Sequence, residues 1–177
     1  APAHHLLVSA GRCPLDLEQE LRASYRRLFE ARGASRLELV ESRFRSVARP
    51  SLLRIPARAA QALQRELRSC YAEFSFSPAS AGLPPDHITA QLHFVACLLE
   101  LAAGTGPDMV RGMQRLPAYV RDRLLLWLPV LRGEVAARPE GRFFAMVLVI
   151  AEARARAVER EFSLFATRLT SCAQPVG

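Results

Sequence analysis

The sequence contains no lysine: all 24 of its basic residues are arginine. The coding bias of a GC-rich genome accounts for such a pattern. The chemical alternative is phosphate recognition, because guanidinium groups fork onto phosphate oxygens. Aromatic residues are scarce, at nine Phe, three Tyr and one Trp in 177 residues, so the apolar mass falls on Leu, Ala and Val. β-branched residues are scattered and no stretch alternates apolar with polar, which excludes half-buried strands. The longest apolar run, Phe143 to Ala151, falls well short of the roughly 20 residues that cross a bilayer, so no stable membrane insertion is expected. No basic stretch precedes an apolar one at the start of the chain, as a signal peptide requires. The four cysteines (Cys13, Cys70, Cys97 and Cys172) form no C-x-x-C pair and match no zinc spacing. They read as free thiols in a reducing cytoplasm. There is no P-loop, no G-x-G-x-x-G, no H-E-x-x-H and no G-x-S-x-G. His87 and His93 are six residues apart and lie on different helix faces. The expectation is a binding protein rather than an enzyme, with no metal and no cofactor.

What is present favours helix. Ala, Leu, Arg and Glu dominate, and 50% of the residues are apolar, enough for the core of one domain. The expected fold is an all-α, compact, single-domain helical bundle covering 1–177, with 1–13 and the tail from 171 loose. Pro14 can open a helix, with Asp16 and Glu18 in its first turn. Leu17, Leu21, Tyr25, Leu28 and Phe29 then follow a 3.6-residue period, and Gly33 closes it. Residues 34–54 read as a loop with a short turn or two. Pro56 opens a second helix with Ala60, Leu63, Leu67, Tyr71 and Phe74 on one side. After a Ser-, Pro- and Gly-containing loop from Ser75 to Pro85, Asp86 can cap a helix running to Ala103. That helix is apolar on nearly every side, which places it at the centre of a bundle. A short helix follows at 108–115. Pro117 opens another, kinked or broken by Pro129. The last helix starts near Pro139 and carries Phe144, Leu148, Ala151, Ala155, Val158, Phe162 and Phe165 on one face.

The formal charge of +7 is unevenly spread. Residues 1–68 hold 13 Arg against 7 acids, and residues 111–177 hold 11 against 6. Between Arg68 and Arg111 the only basic side chains are two His, and four acids lie there: Glu73, Asp86, Glu100 and Asp108. A middle of that sign can receive a cationic peptide. Equally, these acids can be caps and solvated positions.

The most specific constellation is Pro84-Pro85-Asp86-His87-Ile88, a proline-fixed turn that presents a carboxylate and an imidazole at a helix start. With Leu92, Phe94 and the long apolar helix behind it, this string resembles the motif of the TorD/DmsD (NarJ-like) family of redox-enzyme chaperones. Tyr25-Arg-Arg-Leu28-Phe29 resembles that family's Tyr-x-x-Leu-Phe, Glu41-Ser42 its Glu-Ser, and Leu124 to Pro129 with Trp127 its His-Leu-x-x-Trp segment. Three departures stand out: Gln91 replaces the family's Glu, Arg123 replaces its His, and only 24 residues precede Tyr25. The last implies a shortened chain or a reduced form of the fold lacking an N-terminal helix. The surface so left is covered in a monomer or in a domain-swapped dimer.

The resemblance implies a TorD-like bundle and a non-catalytic cytoplasmic chaperone. Its partners would be the twin-arginine signal peptide and the apo form of a molybdopterin-containing catalytic subunit, held until cofactor insertion and export. Carried onto this chain, it places Asp86, His87 and Pro85 at the signal-peptide groove. Tyr71, Trp127 and Glu100 extend the groove on residue type and position. The alternative is an Arg-rich helical nucleic-acid-binding or regulatory module, which would need arginines gathered on one exposed face. Their interleaving with acids points instead to no nucleic-acid partner.

Overall fold

A computed structural model describes residues 14–31, 36–44, 57–78 and 82–172. The described residues are almost wholly helical, as the composition predicts. Helix α1 (Pro14–Tyr25) runs into a π-helical turn at Arg26–Glu30. Residues 36–39 form no regular element and lead through a β-bridge at Val40 to the single helical turn α2 (Glu41–Phe44). There follow α3 (Ala57–Glu73), α4 (Ile88–Ala103), α5 (Pro107–Tyr119), α6 (Leu125–Ala136) and α7 (Arg142–Cys172). The expected Gly33 stop, the Pro56 start, Cys13 and residues 1–13 lie outside the described residues.

Two proline expectations are corrected. Pro117 sits inside α5 rather than opening a new helix, and Pro129 sits inside α6 without ending it. A five-residue π-helical turn (Val120–Leu124) joins the two into one helical run. A proline costs about 3 kcal/mol in a helix interior. Burial of Leu116, Tyr119, Trp127, Leu128, Leu131 and Val135 on either side of these prolines offsets that cost. Helix α7 runs on to Ser171 and Cys172, and the rest of the tail, 173–177, lies outside the described residues.

Helix α4 packs on α5, while α5 and α6 both pack on α7. The α4–α5 contact is close because of Gly112. A Cβ there would lie 2.9 Å from the Ala102 nitrogen and 3.0 Å from the Leu98 oxygen. Contrary to expectation, α4 is not enclosed on all sides. Ala90, Gln91, Phe94, Leu98 and Ala102 form its buried stripe, whereas Leu92, His93 and Ala96 face solvent. Apolar content along a helix does not by itself say how many neighbours cover it. One core cluster joins α3, α4 and α5 through Leu67, Tyr71, Phe94, Leu98, Leu116 and Tyr119. A second gathers Leu28, Phe29, Leu37 and Phe44 around Trp127, Leu131 and Val135. It is this second cluster that clamps the segment 36–44 onto the bundle.

Candidate functional site

The Pro84–His87 turn lies where the segment 36–44 meets α4. Val40 and His87 form an isolated antiparallel bridge. The Glu41 amide donates to the Asp86 carbonyl at 2.9 Å, and the Ile88 amide to the Leu39 carbonyl at 2.9 Å. Asp86 was read as the helix cap, but the cap is His87, whose Nδ1 accepts from the Thr89 amide at 3.2 Å. The Asp86 carboxylate points the other way. It is 0% exposed and accepts from the Ser42 amide at 3.2 Å and from the Gln64 side-chain amide at 3.0 Å. Asp86 is therefore a clip that holds α2 and α3 to the start of α4. Beneath the turn, the Tyr71 hydroxyl donates to the Pro85 carbonyl at 2.7 Å and lies 3.2 Å from the Tyr119 hydroxyl. Burial pushes both phenols above their ordinary range.

A groove of about 500 Å³ opens in front of this turn. Tyr25, Phe29, Leu37, Leu39, Leu83 and Pro84 supply its apolar lining. Arg36, Glu38, Ser42, Gln64 and His87 supply its polar positions. Burial holds the His87 imidazole below its ordinary range, against an opposing pull from Asp86. With Nδ1 occupied as an acceptor, Nε2 remains the donor.

A buried polar chain lies behind the groove. The Trp127 indole donates to Gln91 Oε1 at 3.2 Å, and the Gln91 amide nitrogen donates to the Glu41 carboxylate. Arg123 Nη1 stands 3.7 Å from that same carboxylate and also pairs with Glu66. Glu41, Gln91 and Trp127 are all 0% exposed. The predicted site residues thus divide. Pro85, Asp86, His87 and Tyr71 converge on one turn, with only His87 lining the groove. Trp127 sits in the core behind it. Glu100 is exposed on α4, about 20 Å along the helix from Asp86 at 1.5 Å per residue. Arg36, Glu38 and Gln64 escaped sequence reading. The segment carrying Arg36 and Glu38 has no periodicity, and Gln64 is a polar residue at the edge of the apolar stripe of α3, in line with Ala60, Leu67 and Tyr71.

A family model described as nitrate reductase delta subunit matches residues 3–132. The chain belongs to the nitrate reductase delta subunit family. This is a family of redox-enzyme maturation chaperones that serve molybdoenzymes, the group to which the Pro-Asp-His turn pointed. Searches of curated proteins and of solved structures returned no match. The matched stretch contains the groove, the Asp86 clip and the Gln91 chain, while α7 lies beyond it. No helix among the described residues is long and apolar enough to cross a membrane.

The Gln91 departure has a physical reason in this delta-family chain. An amide can donate to Glu41 while accepting from Trp127. A carboxylate at 91 would set two acids against each other in a site closed to water. Gln91→Glu is expected to lower stability by about 1–3 kcal/mol at pH 7, with much of the loss recovered below about pH 5, where one carboxyl takes up a proton. Thermal unfolding across that pH range checks this. A pH-independent loss would mean that the two side chains do not share the site.

Proposed function

We propose that this chain is a cytoplasmic maturation chaperone whose groove receives the twin-arginine leader of a molybdoenzyme catalytic subunit. The observation that carries the reading is the groove itself, which combines an apolar wall, an accessible carboxylate and a backbone edge. Family membership supplies the molybdoenzyme client. Residues 36–39 form no regular element and lead into the Val40 bridge, and the backbone groups of Glu38 have no hydrogen-bond partner among the described residues. That edge suits an extended peptide added alongside it. Glu38 is exposed at the groove and can accept a guanidinium bidentately. His87 adds a donor, and Pro85 and Asp86 hold the turn in shape from below. In this reading Tyr71 and Trp127 act as supports, and Glu100 stands apart. The nucleic-acid alternative draws no support, because exposed arginines pair with neighbouring acids, as in Arg22–Glu18, Arg111–Asp108 and Arg121–Asp122.

Calorimetry with a twin-arginine peptide and its Arg-to-Gln counterpart tests the reading. Glu38→Gln should weaken the arginine peptide about tenfold, the equivalent of one charge-assisted hydrogen bond of roughly 1.5 kcal/mol, and leave the glutamine peptide unaffected. Equal binding of both peptides by the wild-type chain would overturn it. The groove also has a pH signature. His87 is depressed when folded, so its contribution to stability is present above about pH 6.5 and is lost as pH falls through its folded value. His87→Asn keeps a capping acceptor and should flatten stability between about pH 7 and 5.

A further inference from the structure

Helix α7 carries two apolar stripes, and the bundle uses only one. Phe144, Leu148, Ala155, Val158 and Phe162 pack inward. On a neighbouring face Phe143, Val147, Ile150 and Leu164 are 41–66% exposed, together with Met146, Val149 and Phe165. Isolated exposed apolar residues are ordinary, but seven on one helix, gathered at 143–150 and 164–165, mark an interaction surface. The outward positions Phe143, Val147, Ile150, Arg154, Ala157, Glu161, Leu164 and Arg168 recur at alternating spacings of four and three. That is the 3.5-residue period of a helix that pairs with another helix.

The stripe is complementary to itself. Laid antiparallel on its own copy, with the two-fold axis between Ala155 and Arg156, Val147 faces Leu164 of the second chain, while Phe143 and Ile150 face the aliphatic stems of Arg168 and Glu161. Arg154 faces Ala157, small enough to leave room for it, and lies one turn from Glu161 of the other copy. Arg154 and Glu161 are exposed and have no ion-pair partner among the described residues. Each cross-chain pair forms twice by symmetry, once on either side of the axis, as an isologous interface requires. We infer that α7 is a homodimerisation helix and that two copies of this chain associate side by side through antiparallel α7 pairing, without exchange of elements.

Sedimentation of the full chain at roughly 1–100 µM tests this. A dimer is expected, and Ile150→Glu, at an exposed position, should weaken it at least about tenfold while far-UV circular dichroism stays unchanged. Arg154→Glu and Glu161→Arg should each weaken association, and the double exchange should restore it. A chain that stays monomeric throughout that range overturns the proposal. So does a dimer indifferent to Ile150→Glu, as a swapped dimer would be, or a double exchange that fails to recover association.

Discussion

Replacing Asp86 with alanine will cost about 3 kcal/mol of stability, because the carboxylate is a buried clip and not a surface cap. It accepts from the Ser42 amide and the Gln64 side chain and has no ion-pair partner among the described residues. Hydrogen bonds to a charged acceptor contribute roughly 1.5–3 kcal/mol each. Part of this is discounted, because the Gln64 amide is half-buried and can turn to water. The Ser42 amide has no such freedom, since α2 is held in place by Phe44 stacking on Trp127 at a centroid distance of 5.8 Å. For a domain of this size a 3 kcal/mol loss lowers the melting temperature by about 6–12 °C. Urea titration should show a lower midpoint at unchanged slope. A loss of only about 1 kcal/mol, the ordinary consequence of removing a cap, would show that the carboxylate does not hold the segment 36–44. The variant also bears on the proposed groove. If Asp86 acts only from below, Asp86→Ala weakens a bound peptide by releasing residues 36–44, and bound peptide in excess should recover part of the lost stability.

The fold was legible where one physical signal dominated. Periodic Leu and Phe placed α1, α3 and α7, and the Pro84–His87 turn marked the start of α4. The signals failed where two effects competed. Pro117 and Pro129 break helices in isolation, yet here the burial around Leu116, Trp127 and Leu131 outweighs the lost hydrogen bonds. Asp86 and His87 are adjacent candidates for one cap, and local sequence cannot say which side chain turns inward. That is decided by Ser42 and Gln64, 44 and 22 residues away. Glu41 was singled out for its neighbour Ser42, but its burial against Gln91 and Arg123 is a tertiary fact with no local signature. The second stripe of α7 was written in the sequence all along. The inward stripe masks it, because a helix apolar on two sides resembles one broad face until its neighbours are known.

Trp127→Ala is expected to have the largest effect of any single change, about 3–5 kcal/mol. The indole is the chain's one tryptophan, is 0% exposed, stacks on Phe44 at an interplanar angle of 15°, and donates to Gln91. Removing it opens a cavity between α2 and α6 and leaves Gln91 Oε1 without its donor. Two contributions are therefore mixed, and Trp127→Phe separates them. Phenylalanine keeps a ring against Phe44 but cannot donate, so it should cost roughly 1–2 kcal/mol from the lost hydrogen bond and a smaller void. If packing dominates, the alanine variant loses at least twice as much as the phenylalanine variant in circular dichroism melts, a readout that does not need the indole. If the two variants lose equal stability, the hydrogen bond to Gln91 is the decisive contact. The buried polar chain from Trp127 to Glu41, and not the aromatic stack, would then be what fastens the groove segment to the bundle.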